Sequence, residues 1–306
     1  MSMRGIWTAL VTPFKENLEI DWEAFRTLLE DQKAASVAGV IPCGTTGESP
    51  TLSLDEKKKL IQVTLEVLKG SGVGVVAGTG SNSTPETVEL SRWASSQGVD
   101  GVLVVTPYYN KPSQAGMEAH FRAVAEAVSC TVVLYNVPGR TGVSLAPETM
   151  AKLATHPRIR ALKEATGNVA LTSEIRSHLK LAGQSLDILS GDDATFLPLL
   201  CVGASGVISV ASNLFPRAMV ALQDAFEKGD QKKALELHDQ YTPLFRDLFV
   251  ESNPVPIKAA LQHAGFCGPT VRPPLAPLGQ ESRKRLGLAL EQGSIPAGSA
   301  SNRTLR

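Results

Sequence analysis

Short runs of apolar, largely β-branched residues recur along the chain, each followed by turn residues and then by a stretch with helical spacing of its apolar positions. The runs are Gly5 to Val11, Val37 to Cys43, Val73 to Gly78, Gly101 to Thr106, Thr131 to Tyr135, Ile159 to Lys163, Asp187 to Ser190 and Gly206 to Ser209. A strand that buries one face alternates apolar and polar positions. Runs that are apolar almost throughout bury both faces, as parallel strands do beneath covering helices. Most of these runs are spaced by roughly thirty residues, the length of a strand plus its crossover helix.

The intervening segments carry helix punctuation. Ser53 and Glu56 form a capping-box pattern ahead of Leu60, Ile61 and Leu68, and Thr84-Pro85-Glu86 supplies a cap, a first-turn proline and an early acid. Between Asp21 and Val37, the side chains of Trp22, Phe25, Leu28 and Leu29 fall on one helical face. Eight strand–helix alternations predict the α/β class and a closed (β/α)8 TIM barrel. An open doubly wound sheet is the alternative, but it would bind its ligand through a glycine loop at the first strand, which is missing here. After about Phe226 the strand pattern stops and three helical stretches follow: Gln231 to Val250, interrupted by Pro243; Val255 to Ala264; and Gly279 to Glu291. The expected organisation is therefore a barrel over residues 1–225 and a C-terminal helical extension over 226–306, with Gly293 to Arg306 fraying.

Length alone leaves the domain count open, since 306 residues can be two domains or one large barrel with an appendage. The charge balance, 30 basic against 30 acidic residues, argues against a nucleic-acid or membrane-surface partner. No apolar run reaches the length of a membrane span and the first residues lack the pattern of a secretory signal, which makes the cytoplasm the expected location. Cys43, Cys130, Cys201 and Cys267 are far apart and mostly sit beside apolar residues, so they read as buried thiols. The histidines are scattered, and no structural metal is expected.

In a parallel barrel, catalytic groups gather where the strands end. The sixth run ends in Lys163, followed by Glu164-Ala165-Thr166-Gly167. Burial disfavours the charged form of an amine, and an amine that is neutral part of the time is a nucleophile able to form an imine with a keto acid. A solvated lysine at a strand edge is the plain alternative. The second run leads into Gly44-Thr45-Thr46-Gly47-Glu48, either an ordinary turn or a loop whose N–H groups and hydroxyls hold a carboxylate. The fourth ends in Thr106-Pro107-Tyr108-Tyr109-Asn110, an aromatic loop suited either to subunit contact or to local packing. The fifth ends in Tyr135-Asn136-Val137-Pro138-Gly139-Arg140-Thr141-Gly142, where Arg140 is either a carboxylate clamp or a surface cation. Alternation along a strand puts Lys163 on one face with Ala161 and Ile159, and Tyr135 with Val133 and Thr131. If both faces point inward, a phenol and an amine meet at the mouth; otherwise Tyr135 is a core tyrosine capping a backbone group.

Other motifs carry less. Gly72-Val73-Gly74-Val75-Val76-Ala77 fits a dinucleotide fingerprint as a string, but its second half lies in a strand rather than a strand–turn–helix. There is no phosphate-binding P-loop and no nucleophile elbow. Asp192-Asp193 reads as a helix N-terminus rather than an ion site.

Four segments in order resemble the dihydrodipicolinate synthase / N-acetylneuraminate lyase superfamily, and its dihydrodipicolinate synthase branch most. They are Gly44 to Glu48, Tyr135 to Gly142, Lys163 to Gly167, and Asn253-Pro254-Val255-Pro256-Ile257-Lys258, and the likeness runs from about Gly5 to Leu278. The resemblance implies that Lys163 forms a Schiff base with pyruvate, whose enamine attacks the aldehyde of L-aspartate 4-semialdehyde, with ring closure giving an intermediate of diaminopimelate and lysine biosynthesis. It further implies a proton relay of Thr46, Tyr135 and a Tyr109 from a neighbouring subunit. In the same analogy Thr45 and Thr46 hold the pyruvate carboxylate, Arg140 holds that of the semialdehyde, and Gly191 and Ile208 line the far wall. No cofactor is expected, because the imine itself is the electron sink.

Aldolases of the superfamily that act on 2-keto-3-deoxy acids or N-acetylneuraminate generally lack the Pro-Gly-Arg-Thr-Gly segment, which favours the synthase over such an aldolase. A non-catalytic keto-acid-binding barrel is the reading from outside enzymology, and the pairing of Lys163 with Tyr135 argues against it. The resemblance implies a homotetramer built as a dimer of tight dimers, although the residues demand only a dimer, and that only if Tyr109 crosses between subunits. Lysine-sensitive relatives bind lysine at the tight-dimer interface, matched here by Ser49, Pro50, Leu54, Lys57, Asn82, Glu86 and Tyr108. Leu54 and Lys57 stand where sensitive members have histidines, and Lys57 would repel a cationic effector, so the expected feedback is weak or absent.

Overall fold

The computed structural model describes residues 2–295. Its strands are β1 (Gly5–Ala9), β2 (Gly39–Ile41), β3 (Gly74–Gly78), β4 (Gly101–Val105), β5 (Thr131–Asn136), β6 (Ile159–Glu164), β7 (Asp187–Ser190) and β8 (Gly206–Ser209). They follow one another in sequence order around a closed parallel barrel, the (β/α)8 architecture expected from the apolar runs. Two compact units make up the chain: Met1–Gly5 with Gly74–Ile208, and Ile6–Val73 with Ser209–Arg306. The first holds β3 to β7 and most of β8. The second holds most of β1, all of β2 and the helices that follow β8.

Within the first unit the strands are apolar on both sides: Val102, Val104, Val132, Leu134 and Leu162 on one face, and Val133 and Ala161 on the other, are all fully buried. Burial of such side chains stabilises the fold by roughly 1.5–3 kcal/mol each. The register pairs Val105 with Tyr135, Tyr135 with Lys163, and Lys163 with Leu189, so successive strand ends line up around this arc. The helix Thr84–Ser96 begins one residue earlier than expected. Ser83, not Thr84, is its cap residue, because the Thr87 N–H already bonds the Ser83 carbonyl at 3.0 Å. Pro85 is accommodated in that first turn, where an N–H would lack a helical partner anyway.

In the second unit Trp7 of β1 lies against Gly39 of β2, and a Cβ at Gly39 would stand 2.1 Å from the indole. The pair therefore fixes glycine at the start of β2. The helix Trp22–Ala34 is capped by Asp21 and buries Phe25, Leu28 and Leu29, while Trp22 is only half-buried. Ser53 and Glu56 form the expected capping box, with bonds of 3.1 and 2.8 Å.

Pro243 does not interrupt its helix, which runs unbroken from Gln231 to Asp247. Buried residues on both sides, Ala234 before the proline and Leu244 and Phe245 after it, anchor the two halves, and Phe215 stacks on Tyr241 at 4.7 Å. These contacts offset the roughly 3 kcal/mol that an internal proline costs a helix. The helix Val255–Ala264 has the expected bounds, and Gln280–Gln292 lies one residue along from its forecast position. Beyond it Ile295 is buried and its N–H bonds the Leu290 carbonyl; the rest of the segment expected to fray, 296–306, lies outside the described residues.

Of the four cysteines only Cys43 is buried. Cys130 and Cys267 are intermediate, and Cys201, at the surface end of Phe196–Cys201, is exposed. Apolar neighbours in sequence do not report how deeply a loop or a helix end buries its thiol, and among the four only Cys201 lies in a helix. The string Gly72 to Ala77 runs into β3, as its composition implied. Among the described residues no helix is long and apolar enough to cross a membrane, and no group of three or more potential metal ligands occurs.

Candidate active site

Lys163 and Tyr135 stand side by side at the ends of adjacent strands. They are direct register partners, and the Lys163 Nζ lies 4.4 Å from the centre of the Tyr135 ring. Both are buried, with 5% and 6% of their surface exposed. On the same side of β6 lies Ala161, fully buried; Ile159, also fully buried, falls beyond a shift in the β5–β6 register that breaks the simple alternation expected back to the strand's start. An amine so placed is stripped of most of its water, and its neighbour presents a π face and a phenolic proton.

The opposite face of the same two strands carries a second pair. Asn136 and Glu164, also register partners, are joined by a 3.0 Å bond from Asn136 Nδ2 to Glu164 Oε2. Glu164 Oε1 accepts the Thr166 N–H at 2.7 Å, and Asn136 Oδ1 accepts the Leu145 N–H at 3.0 Å. Each carboxylate or amide thus ties down the loop beyond its own strand. Both stand within the sequence motifs without an assigned role, although each follows a singled-out side chain and parallel register predicts their meeting.

Arg140 sits exposed on the one-turn helix Pro138–Thr141. That turn is fastened by the buried Thr141, whose Oγ1 accepts from Thr106 Oγ1 at 3.2 Å and donates to the Val143 carbonyl at 2.9 Å. Tyr108 is half-buried and Tyr109 is 90% exposed with φ of 71°. A tyrosine ring left almost entirely in water on a left-handed backbone contributes nothing to packing within its own chain. Gly191 lies against the end of β6: a Cβ there would approach Ala165 Cβ to 2.5 Å, and its N–H bonds the Glu164 carbonyl at 2.7 Å. Ile208 is fully buried in β8. Asp192-Asp193 lies in the turn before Phe196–Cys201, where the Asp192 carboxylate accepts the Ala194 N–H.

In the second unit, the loop Gly44 to Glu48 folds on itself through bonds from Gly47 N and Ser49 N to the Gly44 carbonyl and from Glu48 N to the Thr45 carbonyl. Thr45 is half-buried; Thr46 and Glu48 are buried. The loop is held from far along the chain. Asn253 Nδ2 donates to Thr46 Oγ1 at 2.9 Å, and the Lys258 ammonium pairs with Glu48 Oε1. Lys258 also donates to the Thr270 carbonyl, while Glu48 Oε2 accepts the Arg272 N–H. The Phe14 ring lies under both cations, 4.1 Å from Lys258 Nζ and 4.3 Å from the Arg272 guanidinium carbon. Burial pushes the Lys258 amine below its ordinary range, and the Glu48 carboxylate opposes that shift. Cys43, which opens this loop, offers no rival nucleophile, because burial pushes its thiol up to about 12.

Of the positions tied to lysine sensitivity, Leu54 and Glu86 are exposed, while Ser49, Lys57 and Asn82 are half-buried. Asn82 uses its carbonyl to accept from Asn110, and Glu86 accepts from the Ser81 hydroxyl at 3.3 Å.

A parallel eight-stranded barrel with a buried lysine ending its sixth strand, beside a tyrosine ending its fifth, defines the Schiff-base-forming, aldolase-like lyases. The chain belongs to the dihydrodipicolinate synthetase family, whose model matches residues 2–293. It is 47% identical over 296 residues to the 4-hydroxy-tetrahydrodipicolinate synthase of Leptospira biflexa, an alignment covering 95% of this chain and 99% of that one. Among solved structures it resembles the dihydrodipicolinate synthase of Thermotoga maritima, with 41% identity, a TM-score of 0.93, and 96% and 100% of the two chains covered. It also resembles the chloride-inhibited enzyme of Acinetobacter baumannii complexed with pyruvate, at 38% identity and TM-score 0.92, again covering 96% and 100%.

Proposed function

We propose that the chain condenses pyruvate with L-aspartate 4-semialdehyde, the reaction of a 4-hydroxy-tetrahydrodipicolinate synthase in diaminopimelate and lysine biosynthesis. The observation that carries this reading is the buried Lys163 amine lying 4.4 Å from the Tyr135 ring. Neutral Lys163 attacks the keto carbon of pyruvate, and loss of water leaves an imine. Loss of a methyl proton gives the enamine, whose carbon attacks the aldehyde of the semialdehyde. The semialdehyde amine then displaces Lys163 from the imine carbon, closing the ring and freeing the enzyme, with one water released overall.

The protons move through Tyr135, with Thr46 and a Tyr109 from a neighbouring subunit completing the relay. The 90% exposure of Tyr109 supports a role outside its own chain. Thr45 and Thr46 hold the pyruvate carboxylate; three N–H groups around that loop are spent on its own turns, which favours the threonines for the task. Arg140 meets the carboxylate of the semialdehyde, and Gly191 and Ile208 line the opposite wall. Two subunits are the least that a crossing Tyr109 requires, and a homotetramer of two tight dimers is the assembly we favour. The work is placed in the cytoplasm, with neither nucleic acid nor membrane as partner.

Turnover tests this reading. Release of the cyclic product from pyruvate plus semialdehyde is expected, with no cleavage of 2-keto-3-deoxy acids or N-acetylneuraminate; the reverse pattern would make the chain an aldolase. Lysine is expected to bind weakly or not at all, since Lys57 and Leu54 stand at the candidate effector positions, and tight binding by isothermal titration would overturn that.

A further inference from the structure

The pairing that brings Tyr135 beside Lys163 is not the pairing with which β5 and β6 begin. Val132 faces Ile159, but the next pair is Val133 with Ala161, so the register shifts by one residue and Arg160 is left without a strand partner. Arg160 is also the one exposed residue of β6, as suits the extra residue of a bulge. Had the first pairing run on, Tyr135 would face Leu162 and Lys163 would face Asn136. A one-residue slip moves side chains to the opposite face of a sheet, so the phenol and the amine would be parted.

Beyond the shift, the paired side chains as far as Leu134 and Leu162 are apolar, and a slip there exchanges one apolar neighbour for another. The strand ends carry a bond that is not so tolerant: Asn136 Nδ2 to Glu164 Oε2 at 3.0 Å, with 0% and 2% of the two residues exposed. In the slipped register Glu164 would lie opposite Val137, a buried carboxylate without its donor. The pair is also fixed from behind. Asn136 Oδ1 accepts the Leu145 N–H at 3.0 Å and the Ser144 hydroxyl at 3.3 Å, which turns Nδ2 toward Glu164. Glu164 Oε1 accepts the Thr166 N–H at 2.7 Å, and the Glu164 carbonyl accepts the Gly191 N–H, which ties β6 to the next strand end.

We infer that Asn136 and Glu164 are positioning residues: back to back with Tyr135 and Lys163, they hold the shifted register in which phenol and amine share a face. The inference rests on the proposed function, in which Lys163 forms the imine and Tyr135 moves its protons. Both residues act through the backbone, from the opposite side of the sheet.

The bond between them can be reversed, which supplies the test. Asn136→Asp alone sets two buried carboxylates face to face. Glu164→Gln alone turns one of two acceptor oxygens into a donor, facing either Asn136 Nδ2 or the Thr166 N–H. In the double variant N136D/E164Q the glutamine amide donates to the aspartate and still accepts from Thr166, while the aspartate still accepts from Leu145. The readout is exchange of the pyruvate methyl protons for deuterium, followed by NMR over hours, which needs the imine and the proton relay but no semialdehyde; thermal melting checks folding. The expected loss is about 10²-fold for N136D and about tenfold for E164Q, the scale of a misplacement of an ångström or less, with the double variant within about threefold of wild type. On a Tyr135→Phe background the E164Q loss is expected to shrink to about twofold or less, because no phenol remains to be placed.

A double variant no faster than E164Q would overturn the inference. Equal E164Q losses on both backgrounds would do so too, since that is the pattern of a purely structural pair. Should N136D fail to fold, E164Q and the double variant decide alone. Borohydride trapping of pyruvate on the wild-type protein separates the two levels. Intact trapping with the wrong variant pattern sinks the Asn136–Glu164 assignment alone, whereas absent trapping sinks the proposed function and this inference with it.

Discussion

The β5–β6 pair and the Gly44–Glu48 loop are built on opposite principles. Lys163 and Tyr135 sit among apolar neighbours and are placed by strand register, with the polar bonds of Asn136 and Glu164 kept to the other face. The threonine loop is instead saturated with polar contacts: Thr46 to Asn253, Glu48 to Lys258 and to Arg272. A nucleophilic amine has to be neutral part of the time, and a nearby carboxylate on its own face would favour the charged form. A loop that is to hold a carboxylate has to stay open against its own tendency to collapse, and a buried ion pair sets its shape at the cost of desolvation. The difference teaches that the two halves should fail differently when broken.

Lys163→Ala should give the largest effect of all on activity, a loss of turnover of about 10⁴-fold or more, in line with removing other covalent nucleophiles. Its melting temperature should not fall, because the variant removes a buried amine rather than a structural partner; a cooperative melt beside a steady-state assay checks both. Lys258→Met should do the opposite and act first through the fold. It leaves the Glu48 carboxylate buried without its cation, a loss of roughly 3–5 kcal/mol measured by urea denaturation. A K258M protein of wild-type stability would show that the loop does not depend on the pair.

The smallest effect is on acid stability. The Arg272 side chain hydrogen-bonds Glu56 and holds its carboxyl down at about 2, against an ordinary 4.5. A carboxyl whose folded value is depressed contributes fully above its unfolded value and loses that contribution as the pH falls through the folded one. Wild type should therefore exceed Arg272→Met in stability by an amount that shrinks between pH 5 and pH 2, a window read from the 4.5 and about 2 of this group. Because Glu56 is only partly buried, solvent screening keeps this contribution small. A gap that stays constant over that range in acid titrations would assign the loss to packing instead.

The same contrast explains what the sequence discloses. All eight forecast runs overlap their strands with ends shifted by at most two residues at either terminus or agree outright, because continuous apolar runs specify parallel strands locally. Lys163 and Tyr135 were legible together because alternation along a strand fixes side-chain facing. The partners of the threonine loop were not: Asn253, Lys258 and Arg272 lie more than 200 residues beyond Thr46 and Glu48. Nothing in local spacing joins them, although the Asn253–Lys258 segment itself stands out as a string. Pro243 and Cys201 misled for a related reason, since what carries a helix through a proline or turns a thiol outward is tertiary packing.

The central claim is that Lys163 captures a keto acid covalently. Sodium borohydride added in the presence of pyruvate, followed by mass analysis of the proteolytic peptides, tests it most directly. The account predicts a single adduct, the mass of reduced pyruvate on the peptide containing Lys163, absent from the Lys163→Ala protein. An adduct on another lysine such as Lys258, or turnover with no adduct at all, would contradict it.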